Sequence, residues 1–421
     1  MKRFYVYLCC LLALSMVSGC IYRDQYDTGK PFSRVLLIYT AGYNNLSSDI
    51  ERNIQEICTT QLPLQEGNRA LLVFSHQAKT DYDFRTLVQP CLVRLSYDWQ
   101  GRVRKDTLLT LDNSRSATDP ETFGQIMEYV RKNFESDHYG LILSSHGTGW
   151  MPEGYYDHPG SSTSFAPRRG KMLSSAQRVS EIPEDGLKVK SFGAEVSWVG
   201  STTVSQEMDI CKLVSAIPMH LDFMLFDACL MGGIEVAYEL RNVVDKIGFS
   251  QAEILAHGFP YLTLIQRLMQ GENDVEGFCT DYYDYYAAQV GSMCSATISV
   301  VDCRKLEEFA AVCKGLFSRY ASGMATLDPK QVQGYFRKNR HWFYDLKDIL
   351  AHAGASDADL ATLQQSLDQV ITYKAATNRV LDAFDVKTHC GLSMYLPADG
   401  DDYLDNYYRK LAWNQATGLV K

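Results

Sequence analysis

Before residue 300 the chain is punctuated by short, almost uninterrupted apolar runs: VLLIYTAG (35–42), NRALLVFSHQ (68–77), GLILSS (140–145) and LDFMLFD (221–227). Each has strand length and is bounded by turn residues, so each predicts a strand buried on both faces. CLVRLSYDW (91–99) and TLLTLD (107–112) predict shorter strands in a hairpin across Gly101, and AEILAHG (252–258) predicts a further strand. Between them the apolar spacing becomes helical. NNLSSDIERNIQEI opens on Ser and Asp, Asp119-Pro120-Glu121 starts a helix running to Phe134, and MGGIEVAYELRNVV (231–244) is amphipathic throughout. Strands alternating with helices in this way predict an α/β fold, a mostly parallel sheet covered on both sides. In such sheets functional groups collect at the carboxyl ends of the strands.

After residue 300 the texture changes. RKLEEFAAVCKGLFSRY and DADLATLQQSLDQVITYKAA carry helical spacing, and GLSMYLPA (391–398) predicts a strand. The expected organisation is a core domain at 35–300 and a helical accessory region at 301–421 with a strand returning to the core. Within the core, 151–203 is polar and turn-rich (PEGYYDHPGSSTSFAPRRGKMLSSAQR). A loop of that length in a compact domain is unusual and often functional, with a surface insertion as the plain alternative.

The N-terminus reads as a leader. MKRFYVYLCCLLALSMVSGC has Lys2 and Arg3, a short apolar stretch, and Val17-Ser18-Gly19 before Cys20. Small residues before a cysteine have the form of a bacterial lipobox, so 1–20 is expected to be removed up to a lipidated Cys20, with 21–34 as a tether. No later run approaches the length of a membrane-spanning helix. Ile21, rather than an acid, follows Cys20, which predicts an exported lipoprotein of the cell envelope, passed to the outer membrane.

Charge narrows the partners. A formal net charge of −9 without any basic block argues against nucleic acid. Of 12 cysteines, Cys9, Cys10 and Cys20 lie in the leader. The others are dispersed with no CxxC pair, so a zinc knuckle or thioredoxin-like site is not expected. They are either disulfide partners of an exported protein or small buried hydrophobes.

The chemistry lies at two strand ends. GLILSSHGTGW (140–150) ends in His146, and LDFMLFDACLMGG (221–233) ends in Cys229. A lone histidine or cysteine is usually structural. Together at neighbouring strand ends they form a nucleophile and a base, because an imidazole promotes the reactive thiolate. The amides of Gly147 and Cys229 could then stabilise an oxyanion. Such a dyad needs no cofactor; a zinc site from His146, Asp227 and Cys229 is the weaker alternative. Asp227 shares a strand face with the thiol. It either binds a cationic substrate side chain or caps the following helix, and the spacing leaves both open.

These residues resemble the clostripain family of cysteine peptidases, in the caspase-like group with gingipains, legumain and separase. The resemblance is carried by YTAGYNNL (39–46), GLILSSHGTGW (140–150), KSFG (190–193), FDACLMGGIEVAYEL (226–240), FYDLKDIL (343–350) and CGLSMYLP (390–397). It implies a caspase-like three-layer α/β/α sandwich with an added C-terminal region. It implies an endopeptidase acting on protein or peptide substrates, with His146 as base, Cys229 as nucleophile and a preference for Arg or Lys before the cut bond. It also implies self-processing between the two, for which Arg168, Arg169, Lys171 and Arg178 are the candidates. The chain departs from the family pattern at Tyr43, where relatives carry an acid. In SQAEILAHGFPY (250–261), expected to line the specificity pocket, Glu253 is acidic but His257 stands where a second carboxylate is expected. Two rivals keep the same residues: a silent, lipid-anchored binding protein on a peptidase fold, and a thiol-dependent ligase or transpeptidase.

Overall fold

Burial on both faces makes the VLLIYTAG run a strand. β1 (Arg34–Gly42) is enclosed along almost all its length, as a strand covered by helices must be. The computed structural model describes residues 31–79, 87–153, 155, 195–199, 202–336 and 342–421. In it, β1 lies near the centre of a nine-stranded mixed sheet. It pairs in parallel with β2 (Arg69–Ala78) and β5 (Tyr139–Ser144). The antiparallel pair β3 (Leu87–Tyr97) and β4 (Val103–Thr110) extends the sheet beyond β2, and Gly101 turns the hairpin at φ 74°. A separate hairpin, β6 (Glu195–Val199) and β7 (Thr202–Gln206), lies within and just beyond the expected long loop. β8 (Leu221–Asp227) pairs in parallel with β5, and β9 (Val244–Phe249) with β8. β10 (Thr297–Asp302) is antiparallel to β9. β11 (Tyr344–Asp345) stands outside the sheet, paired with Ser393 and Met394, and β12 (Ile371–Ala376) completes the edge against β10.

Helices flank this sheet in the caspase-like arrangement that the resemblance implied. α1 (Ser47–Cys58) follows β1, and α2 (Pro120–Asn133) precedes β5. α2 starts as expected: the Asp119 carboxylate accepts the Thr122 amide, with Pro120 in the first turn. α1 does not use Ser and Asp as caps. Its N-cap is Leu46, without a side-chain bond. Ser47 instead turns its hydroxyl back onto the carbonyls of Gly42 (2.7 Å) and Asn44 (2.9 Å), fixing the turn after β1.

Three further expectations are corrected. The helix read over 231–244 is α4 (Ile234–Leu240), which follows α3 (Ile210–Ser215); Val243 and Val244 continue its apolar period but lead into β9. AEILAHG is not a strand. Residues 252–258 form a loop beyond β9, in which the Ala252 carbonyl accepts the Leu230 amide of the turn after β8. The run DADLATLQQSLDQVITYKAA is helical only as α8 (Asp357–Val370); its end is β12, where β-branched and aromatic residues suit a strand. The strand returning to the main sheet from the C-terminal part is therefore 371–376, whereas GLSMYLPA pairs only at Ser393 and Met394.

α5 (Val275–Ala287), α6 (Leu306–Ala325) and α7 (Leu346–His352) complete the flanks with α9 (Asp402–Tyr408) and α10 (Ala412–Thr417). α10 packs on both α6 and α4. Its Trp413 is fully buried between Tyr238 of α4 and Phe309 and Phe317 of α6, at ring distances of 5.4–6.1 Å. The C-terminal region thus shares one hydrophobic core with the sheet. All nine cysteines among the described residues are free thiols. No described helix is long and apolar enough to cross a membrane.

Candidate active site

The parallel register of β5 and β8 brings the two strand ends together. Their last paired rung is Ser144 against Asp227, and His146 and Cys229 each lie two residues beyond it. The Ser145 amide still reaches the Asp227 carbonyl at 3.4 Å. The next residue shows how tight the approach is. A Cβ on Gly147 would sit 2.2 Å from the Cys229 carbonyl oxygen and 3.1 Å from its amide nitrogen. Only glycine lets the histidine segment lie on the cysteine backbone.

Cys229 is fully enclosed. Its Sγ accepts the Ile254 amide at 3.1 Å and, as a thiol, donates to the Ile254 carbonyl at the longer distance of 3.6 Å. An N–H aimed at sulfur favours the thiolate over the thiol. The chain turns sharply after it. Leu230 adopts φ 61°, a left-handed conformation that costs a non-glycine residue on the order of 1–2 kcal/mol. The Leu230 and Gly232 amides donate to the Ala252 and Ser250 carbonyls at 3.0 and 2.7 Å. Residues 250–254 therefore run beside the turn and clasp the thiol.

His146 is buried, and its Nε2 lies 2.9 Å from Asn45 Oδ1. With that oxygen as acceptor, Nε2 carries the proton and Nδ1 is the basic nitrogen. Asn45 comes from the turn after β1, which Asn44 and Ser47 hold through local bonds. A cavity of about 70 Å³ opens beside His146, lined among others by Tyr39, Ser145, Thr148, Glu207 and Met208.

Asp227 is wholly buried, and its Oδ2 accepts the hydroxyls of Ser144 and Tyr261, both at 2.9 Å. α4, the helix that the capping alternative concerns, begins after Gly233. Burial, and then the neighbouring Asp227 charge, pushes the Tyr261 phenol well above its ordinary value, so it stays a donor. Glu253 is buried next to Ile254 on the clasping loop. His257 is half-buried and stacks on Tyr285 at 5.3 Å. Burial pushes its imidazole down, against the pull of Glu56, Asp227 and Asp49, so it is neutral at pH 7. Asn53 of α1, in its better-satisfied orientation, donates to the His257 carbonyl at 3.2 Å. Among the described residues no group of three or more His, Cys, Asp or Glu is placed to hold a metal.

The structure thus brings His146, Gly147, Asp227, Cys229, Glu253 and His257 to one end of the sheet. Cys20, Arg168, Arg169, Lys171 and Arg178 lie outside the described residues. Sequence reasoning missed Asn45, Tyr261 and Ile254. Asn45 sat within the quoted YTAGYNNL motif, but neither Tyr261 nor a backbone amide carries a signal of its own.

Comparison with known proteins shows the family and the fold. Residues 38–163 and 193–418 match the clostripain family, peptidase C11. Clostripain of Hathewaya histolytica is 26% identical over 158 residues, a stretch covering 36% of this chain and 25% of that protein. An inactive zymogen C11 protease from Parabacteroides distasonis superposes with a TM-score of 0.71 at 27% identity, covering 92% of this chain and 99% of that one. A secreted C11 cysteine protease from Bacteroides thetaiotaomicron, solved with an irreversible peptide inhibitor, shares the fold with a TM-score of 0.71 at 21% identity and the same coverage.

Proposed function

The chain belongs to the clostripain family of cysteine peptidases, and from that premise we propose that it is an endopeptidase using His146 and Cys229. The observation that supports this is the shared last rung of β5 and β8, with both groups two residues past it. His146 Nδ1 takes the thiol proton, and the sulfur attacks the scissile carbonyl carbon. The amides of Gly147 and Cys229 hold the oxyanion. The imidazolium then gives its proton to the leaving amine, and water, deprotonated by the same imidazole, releases the acyl group from sulfur.

The substrate preference we propose is Arg, or Lys, before the cut bond. Asp227 is a carboxylate in a dry setting, where a guanidinium is worth far more than at the surface. With neutral His257 in place of a second acid, the preference is milder than two carboxylates would give. Self-processing at Arg168, Arg169, Lys171 or Arg178 fits the enclosed thiol. A cut there would loosen the stretch leading into Glu207 and Met208, which line the cavity beside His146. We further propose that Cys20 carries lipid and anchors the enzyme to the cell envelope; labelled fatty acid should enter the wild type and not Cys20→Ser.

The test is to incubate purified wild type and Cys229→Ala and weigh the fragments. Wild type alone should be clipped within 168–178, and the variant should lose peptide hydrolysis by on the order of 10⁴-fold or more. Hydrolysis that persists in Cys229→Ala would refute the nucleophile.

A further inference from the structure

The CGLSMYLP motif near the C-terminus has no part in the dyad, yet it touches the loop that clasps the thiol. The contact is made through Gln251, whose side chain is completely buried. Its carboxamide uses both ends. Nε2 donates to the Ser299 hydroxyl of β10 at 2.7 Å and to the Gly391 carbonyl at 2.9 Å. Oε1 lies 2.8 Å from His389 Nε2. That nitrogen is the donor because it faces a carboxamide oxygen, which can only accept, while burial pushes the His389 imidazole down to about 3 and so leaves its other nitrogen without a proton. Ser299 also donates to the Gly391 carbonyl, at 2.7 Å. One amide group therefore joins the loop, the sheet and the 389–391 segment.

What this junction fixes is next to the sulfur. On either side of Gln251, Ser250 Oγ meets Thr297 Oγ1 at 2.8 Å, and the Ala252 amide donates to the same Thr297 oxygen at 3.0 Å. Three residues further on, the Ile254 amide points at Cys229 Sγ. The nucleophile turn approaches from the other side. A Cβ on Gly232 would lie 2.5 Å from Gln251 Nε2 and 2.6 Å from its amide nitrogen, and the Gly232 carbonyl accepts the Ser393 amide at 2.9 Å.

We propose that Gln251 is a positioning residue: backed by Ser299, His389 and Gly391, it holds residues 250–254 so that the Ile254 amide stays on the Cys229 sulfur. The C-terminal segment is thereby a working part of the active site, acting through Gln251 and without touching substrate. The proposal rests on Cys229 as the nucleophile of the preceding section. Its physical content is that a fixed N–H donor stabilises the thiolate. A loosened loop gives a thiol that ionises at higher pH.

The test follows the rate of Cys229 alkylation by iodoacetamide against pH. It is read from the mass of the peptide carrying residue 229, in the full-length wild type and in Gln251→Met. Ser299→Ala, which removes a single anchor, serves as the milder variant should Gln251→Met not fold. The midpoint should move to higher pH by about one unit in Gln251→Met and by less in Ser299→Ala. Amide hydrogen exchange over 250–256 should speed up in step with that shift. On a peptide substrate kcat should fall about tenfold at neutral pH with KM within about twofold. Folded variants that keep the wild-type midpoint and exchange rates would overturn the proposal. A moved midpoint in a protein that cleaves no peptide would uphold it and count against the peptidase reading instead.

Discussion

At the scale of single residues, the site depends on close approaches that leave no room for extra atoms. Gly147 is the sharpest case, since any Cβ there meets a backbone oxygen at 2.2 Å, and backbone cannot swing aside as a flexible side chain can. Gly147→Ala should therefore push the histidine segment off Cys229 and lower kcat/KM by about 100-fold, the cost of roughly an ångström of misplacement. Steady-state kinetics on a folded variant checks it, and wild-type turnover would contradict it. Asp227→Asn makes a cleaner electrostatic test. A carboxamide oxygen can still accept the Ser144 and Tyr261 hydroxyls, so the shape survives while the charge is lost. The ratio of kcat/KM for Arg over neutral peptides should then fall by about 30-fold or more, as for a desolvated pair losing one partner. An unchanged ratio would remove Asp227 from specificity. His146, Asp227 and Cys229 were legible in the sequence because apolar strands end on them. Asn45 and Tyr261 were not. Each reaches its partner across a large separation in the chain, and no local pattern records such a meeting.

At the scale of elements, the loop after β9 was misread for a physical reason. AEILAHG is apolar because it is buried, and it is buried because it lies on the nucleophile turn, with the Leu230 amide bonded to its Ala252 carbonyl. Short apolar runs do not distinguish that packing from a strand. The error was small in space: Glu253 and His257 still fall at the active end of the sheet, as the strand reading required. β12 shows the opposite case, since ITYKAA carried a β-branched signal that the preceding helical period masked. The turn and the loop are close enough for one methyl group to separate them. Gly232→Ala should cost about 1–3 kcal/mol, the range for forcing an extra carbon into a packed interior. Urea unfolding should show a lower midpoint at constant slope, with the loss shared by turn and loop; an unchanged midpoint would mean that the two are not in register as described.

At the scale of the whole molecule, the C-terminal region is held to the nucleophile's surroundings by groups whose ionisation burial has displaced in opposite directions. Glu235, in the first turn of the helix after Cys229, accepts the Tyr395 amide at 2.8 Å and the Tyr408 hydroxyl at 2.7 Å. Burial raises its carboxyl to about 7 despite those bonds. Folded protein thus holds this proton more tightly than unfolded chain. The resulting stability is fully present below the ordinary value of 4.5 and is lost as pH rises through about 7. The loss is on the order of 3 kcal/mol. His389, on the Gln251 junction, has the reverse sign. Its folded value of about 3 lies below the ordinary 6.5, so unfolded chain binds the proton and stability is lost as pH falls from 6.5 toward 3. The two windows overlap between 4.5 and 6.5, where the opposing slopes nearly cancel, so together these groups give stability a flat top in mildly acidic solution, with loss below it from His389 and above it from Glu235. Thermal unfolding across pH should show it. Glu235→Gln keeps a side-chain oxygen for Tyr395 and Tyr408 but removes the titration, so it should abolish the loss above 6.5 and leave stability rising with pH between 4.5 and 6.5, where His389 alone then acts. If the variant retained the wild-type slope above pH 5, the docking of the C-terminal region would not depend on that carboxyl.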